Sequence, residues 1–302
     1  MPPALSDLAA GAASIDLSRL PAPDVVAPLD YEAIRSQLIA DFRARWPGFD
    51  ALVESDPAIK LLEVAAYREL LLRAAINDTA RGLLVAFASG ADLEQLAAFH
   101  GVTRFLIAEV TDTEPALYES DEALRRRVLL APEAHAGAGP LGAWLFHTLS
   151  ADPRVLNADI WSPEPGQVIV AVQSREGDGE ASAELLNSVR AHLSQPHIKP
   201  LTDILTVRSV VNVPYAIAVE GFVLPGPAPA PVREEMIASL TRMATARRTP
   251  SRDVPRSAVI AAASVDPIDK VIVTAPAADV DRARGEVAIC TGIIVEVTAH
   301  AG

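Results

Sequence analysis

Residues Ser55–Gly90 read SDPAIKLLEVAAYRELLLRAAINDTARGLLVAFASG, and the architecture follows from how this stretch is buried. Asp56 is placed to accept a hydrogen bond from the free N–H groups of a first helical turn. Pro57 falls at the first helical position, where its missing donor costs nothing. No Pro or Gly interrupts the pattern until Gly82, and Gly90 offers a left-handed stop. The spacing predicts one helix of about thirty residues, roughly 45 Å long at 1.5 Å per residue. Its apolar residues fall on two lines. Leu61, Ala65, Leu72, Ile76, Ala80, Leu83 and Phe87 make one; Ile59, Leu62, Ala66, Leu70 and Leu84 make the other. A helix apolar on several sides has to be surrounded.

Working outward, residues 1–29 are rich in Ala, Ser and Pro, and Pro21, Pro23 and Pro28 forbid a regular helix. This segment reads as an extended arm. A helix is predicted from Asp30 to Trp46, ended by Pro47-Gly48. A short helix follows Asp92, with Gln95 completing a capping box and Gly101 stopping it. The acidic stretch 105–119 reads as loop, and Ser120 caps the helix SDEALRRRVLLA. After Pro153 the pattern turns to strands: VLNADIW, QVIVAVQ and DILTVRSVV with the helix ASAELLNSVRAHL, roughly βββ plus helix. A second unit holds YAIAVEGFVL, PVREEMIASLTRMATA, SAVIAAAS, KVIVTA and VAICTGIIVEV. SADPRVLNADIWSP and SVDPIDKVIVTAP each set Asp-Pro before a strand, a weak internal echo that leaves open whether the two units are related. The fold class is therefore α+β. It divides into an arm (1–29), a helical bundle segment (30–105), an α/β domain with leading helices (106–211) and a second α/β domain (212–302).

The composition narrows the function. The chain has 302 residues, half of them apolar, and a net charge of −13 with Lys60, Lys199 and Lys270 as its only lysines. Such a balance repels nucleic acid and anionic lipid. The runs Arg125-Arg126-Arg127 and Arg247-Arg248 read as solvated helix faces or partners for protein carboxylates. Cys290, the single cysteine, lies in an apolar run and reads as an inert thiol, which fits a reducing compartment. No signal peptide or membrane-spanning run is expected.

Gly137-Ala138-Gly139-Pro140-Leu141-Gly142 matches the spacing of a dinucleotide loop, and Asp159 stands about where the ribose acid would. That loop needs a strand before it, and a helix is predicted instead. His100, His135, His147, His192, His197 and His300 show no zinc spacing. Neither a cofactor nor a metal is expected, and the chain reads as non-enzymatic. The alternatives are a small-ligand or dinucleotide enzyme built on Gly137–Gly142, or a free-standing soluble adaptor.

The neighbouring helices are too short to cover both lines of the long helix, so the remaining cover must come from the α/β half or from other chains. Intermolecular bundles are the usual solution. The interface candidates are Leu61, Leu62, Leu70, Leu72, Ile76, Arg125, Arg126, Arg127, Arg247 and Arg248, and the spacing does not say which line faces inward.

Several stretches also resemble the baseplate J-like family of contractile-tailed phages and related tail-like particles. They are LPAPDV (Leu20–Val25), LDYEAI (Leu29–Ile34), DPAIKLLEVAAYRE (Asp56–Glu69) with Asn77, GADL (Gly90–Leu93), ESDEALRRRV (Glu119–Val128), GAGPLGAW and SADPRV (Ser150–Val155). The order is kept over about residues 20–175, and beyond 210 only the element pattern supports it. The resemblance implies a structural wedge subunit of a tail baseplate. It implies a second copy, other wedge proteins, a small wedge protein adjoining the sheath and a central spike or hub as partners, with assembly in the bacterial cytoplasm. It does not distinguish a phage tail from a bacteriocin-type tail or another injection system.

Overall fold

Two bodies make up the chain, dividing between Thr103 and Arg104. The computed structural model describes residues 28–49, 56–110, 115–135, 139–223 and 229–299. The arm expected at 1–29 lies outside the described residues, apart from Pro28 and Leu29.

The N-terminal body is helical. Helix α1 (Tyr31–Arg45) starts where Asp30 accepts a hydrogen bond from the Ala33 N–H at 3.0 Å. Helix α2 (Pro57–Gly82) is capped by Asp56, which accepts from the Ala58 N–H at 2.8 Å. At 26 residues it is shorter than predicted. The ladder stops at Gly82, where a Cβ would meet the Asp92 carboxylate at 2.7 Å, and two turns follow instead of a final helical turn. Gly90 is left-handed (φ 53°), but it opens helix α3 (Gly90–Phe99) rather than closing α2. The expected Asp92 cap is thereby displaced: Ser89 occupies the cap position without a side-chain bond, and Asp92 lies in the first turn. The end of α3 does follow the sequence. Gly101 is left-handed, its N–H reaches the Ala98 carbonyl, and the Val102 N–H reaches the Ala97 carbonyl, both at 3.0 Å.

The C-terminal body holds three small sheets. The stretch read as loop contains an antiparallel pair, β1 (Leu106–Ala108) and β2 (Leu117–Tyr118). These are too short to show a period. Helix α4 (Asp121–Leu130), capped by Ser120, leads through a 3-10 turn (Ala131–His135) to α5 (Leu141–Leu149).

The next sheet has the order β3 (Val155–Trp161), β4 (Gln167–Ser174), β5 (Ile204–Ser209). Strand β3 is antiparallel to β4. Helix α6 (Ala183–Leu193) crosses over so that β5 runs parallel to β4. Val170 and Val172 pack on Leu185, Val189 and Leu193 in its core.

The last sheet places β6 (Val211–Val223) between β7 (Ile268–Ala275) and β8 (Glu286–Ala299). Pro214 sits inside β6, yet β7 pairs only from Ala218 onward, so Pro214 lies beyond the antiparallel ladder and leaves no N–H wanting there. Helix α7 (Pro229–Arg247) buries Val232, Met236, Leu240 and Ala244 at four-residue steps against this sheet, and α8 (Arg256–Ala263) buries Val259 and Ala263. Both three-stranded sheets hold a central strand with one antiparallel and one parallel neighbour, and each Asp-Pro stretch leads into the antiparallel one. Their chain order differs, because β6 precedes β7 whereas β4 follows β3.

The two three-stranded sheets are joined at Asp159. Its carboxylate, in a residue 6% exposed, accepts from Arg284 Nε at 2.9 Å, Arg284 Nη2 at 2.6 Å and the Gly285 N–H at 2.9 Å, and also from the Ser251 hydroxyl. Arg284 stacks over Trp161 at 5.2 Å, with Arg208 5.0 Å from the same ring. Removing one partner of a buried pair leaves the other unpaired, which costs about 3–5 kcal/mol. Asp159→Ala is expected to lower the unfolding free energy measured by urea titration by that amount. A double variant with Arg284→Ala should lose less than the sum of the two singles.

His147 on α5 and His192 on α6 face each other, ring centroids 6.0 Å apart. Burial, and then the neighbouring charges of His192 and His197, push the His147 pKa down from 6.5 to about 4. An unfolded chain therefore takes up this proton at a higher pH than the folded one. The stabilisation is present above pH 6.5 and is lost as pH falls from there to about 4. Thermal midpoints measured across that window should fall less steeply with acidification in His147→Gln than in the parent chain.

Candidate functional site

Helix α2 answers which apolar line faces inward. Ile59 and Ala66 are buried, and Leu62 and Leu70 are half-buried with them. On the same body, Ile34 of α1 is 3% exposed, and Arg35 of α1 reaches Glu63 of α2 at 3.2 Å. Lys60, and then Arg35, overcome burial and hold the Glu63 carboxyl below its ordinary range. The other line stands open. Leu61 is 71% exposed, Leu72 65%, Ile76 54% and Leu83 71%. Val64, Tyr67 and Leu71 widen this face. The sequence reading missed Val64, although its three-residue step from Leu61 was the signal. So many large apolar side chains on one helix form a contiguous patch of the kind that marks a protein–protein contact.

The arginine runs divide differently from the sequence reading. Arg127, read as lying on a solvated face or partnering a protein carboxylate, does the second: it is 5% exposed and paired inside the molecule. It donates to Glu119 through Nε at 3.0 Å and Nη2 at 2.5 Å, and its guanidinium lies 4.0 Å from the Phe105 ring centroid. Arg104 adds bonds to the Glu119 carbonyl and the Asp121 carboxylate, both at 2.6 Å, so the start of α4 is pinned by charge from two sides. Arg125 is half-buried and Arg126 exposed. Arg247 and Arg248 were expected to take carboxylates but donate to backbone carbonyls of this chain, those of Asp253 at 2.8 Å and Asp178 at 2.5 Å.

A cavity of about 230 Å³ opens beside α4, with Phe105, Glu119, Glu122, Arg126, Arg127 and Arg175 among its walls. Arg175, at the end of β4, is brought there by the fold, and no local pattern announced it.

The glycine loop follows helix α4 and the 3-10 turn, not a strand. Gly137 and Ala138 lie outside the described residues. Its other glycines serve packing: a Cβ on Gly139 would come 2.9 Å from Pro200, and one on Gly142 2.7 Å from Glu133. Asp159, the would-be ribose acid, is spent on Arg284. Among the described residues no three His, Cys, Asp or Glu side chains converge as a metal would require, and no helix is long and apolar enough to cross a membrane. Burial pushes the half-buried Cys290 thiol above its ordinary pKa, away from a reactive thiolate.

A family model, the Baseplate J-like N-terminal domain, matches residues 54–111, which contain all of α2 and α3. Over 288 residues the chain is 37% identical to baseplate protein J of Escherichia phage P2, an alignment covering 92% of this chain and 95% of that protein. The alignment spans most of the chain, and the chain belongs to the baseplate J-like family of phage baseplate structural proteins.

Proposed function

We propose that this chain is a wedge subunit of a contractile tail baseplate. In this reading α2 enters an intermolecular helical core bundle with a second copy and another wedge protein. The C-terminal body makes the ring contacts around the central spike or hub, and a small wedge protein adjoining the sheath sits against the bundle. The observation that carries the reading is the open face of α2. Leu61, Leu72 and Ile76 supply an apolar seam on the side opposite the line that packs toward α1. A phage, bacteriocin-type or other injection tail would use the seam in the same way.

The arginines fit a smaller part than composition suggested. Arg127 is buried against Glu119, and Arg247 and Arg248 hold backbone carbonyls, which leaves Arg126, exposed and held by a neutral acceptor, as the member of the two runs we assign to contacts between wedges. The competing reading of a dinucleotide enzyme has lost the geometry it required around Gly137–Gly142. A free adaptor would need some other use for the seam.

The two lines of α2 give the test. Each leucine buried is worth roughly 2 kcal/mol, and an unpaired carboxylate in an apolar contact adds a further penalty. Leu72→Asp with Ile76→Asp is expected to leave the thermal midpoint of the isolated subunit nearly unchanged and to abolish co-purification with co-expressed baseplate partners. Leu62→Asp with Leu70→Asp is expected to destabilise the isolated subunit itself. Equal unfolding by both pairs, with no defect specific to assembly, would sink the bundle reading.

A further inference from the structure

We infer that the cavity beside α4 binds a single carboxylate carried by a neighbouring polypeptide, held between Arg126 and Arg175; the inference deepens the baseplate reading by giving one contact its chemistry.

The walls dictate the ligand. Arg127 and Glu119 neutralise each other deep in the cavity, with Phe105, Leu149 and Val155 supplying apolar surface. Arg126 donates through Nη2 to the Asn157 side-chain oxygen at 2.8 Å, and Arg175 donates through Nε to the Pro153 carbonyl at 3.0 Å. Those neutral acceptors orient the two guanidinium groups without cancelling their charge. Among the described residues neither has a carboxylate within ion-pair distance, in a chain whose 39 acidic residues outnumber its 26 Lys and Arg. Although the residue as a whole is exposed, the cavity wall withdraws the Arg126 guanidinium from water, and this, followed by the charge of Arg175, weakens its hold on its own proton. Glu122 offsets part of this charge. Three guanidinium groups against two carboxylates leave the cavity with one net positive charge, which suits a monoanion and disfavours a phosphate dianion. At about 30 Å³ per water in the liquid, the volume holds several waters or one acidic side chain. The planar forks of Arg126 and Arg175 match carboxylate geometry.

The test uses the full chain free in solution at low ionic strength, where weak charge contacts are least screened. It is titrated with acetyl-Gly-Gly-Glu-Gly-Gly-amide, with the same peptide carrying Gln, and with inorganic phosphate, while arginine Nε–H resonances are followed by NMR. The Glu peptide is expected to move the Arg126 and Arg175 resonances saturably, and the Gln peptide to leave them in place. Arg126→Gln and Arg175→Gln should each weaken binding about tenfold, the loss of one charge-assisted contact. Arg233→Gln, on the exposed side of α7, should not. No saturable shift, an equal response to the Gln peptide, or tighter binding of phosphate would overturn the assignment. Because the readout needs no partner, its failure is separable from failure of the α2 seam to assemble.

Discussion

A carboxylate buried between two sheets needs a donor for each of its oxygens, and Asp159 shows what that requirement costs in architecture. Its partners come from Ser251, Arg284 and Gly285, more than ninety positions further along the chain. Ser251 meets it from the turn after α7 with φ 59°, a strained value for a residue with a side chain. Gly285 (φ 78°) can approach because it has no Cβ; one placed there would stand 3.1 Å from Ala171. The segment after α7, the entry to β8 and the end of β3 are thus fixed by one anion. Val210, Val287 and Ala171 close an apolar layer beside it, so charge sets the register of the joint and burial seals it.

The N-terminal body obeys a different economy. Helix α2 has strong local instructions: a cap, a proline at its first turn and a long run without breakers. Its inward line satisfies α1, with Ile59 and Ala66 buried and a part-buried Arg35–Glu63 pair alongside. That is enough to order the helix, but it leaves the opposite line in water. Leaving several large apolar side chains exposed on one helix gains nothing for a lone chain. In the bundle proposed above the open side would be covered in the assembled state, and the open line would then carry more functional weight than any buried residue.

What could be read in advance follows from the range over which each instruction acts. The caps of α2 and α4 were legible because Asp56 and Ser120 act on N–H groups two or three residues away. The two apolar lines of α2 were visible too, but their assignment to inside and outside was not, because that depends on where α1 lies. The end of α2 was misjudged because it depends on Gly82 meeting Asp92, ten residues on. Strands β1 and β2 are too short for alternation to register. Asp159 was the hardest: its position relative to the glycine loop suggested a ribose, whereas its partner Arg284 is 125 residues away and shares no local pattern with it.

The same difference in range explains the arginines. Read as runs, Arg125-Arg126-Arg127 and Arg247-Arg248 look like uniform positive patches. On a helix, however, neighbours point about 100° apart, so Arg127 can turn into the core while Arg126 turns out. Once inside, an arginine must be fully occupied, and Glu119 with the Phe105 ring meets that need for Arg127. Arg247 and Arg248 instead tie down backbone carbonyls of nearby turns, a structural use that leaves net charge unneutralised but locally satisfied. A run of arginines in sequence therefore does not stay together in the fold. Arg126 leaves its run and meets Arg175, which comes from the end of β4, at the wall of one cavity.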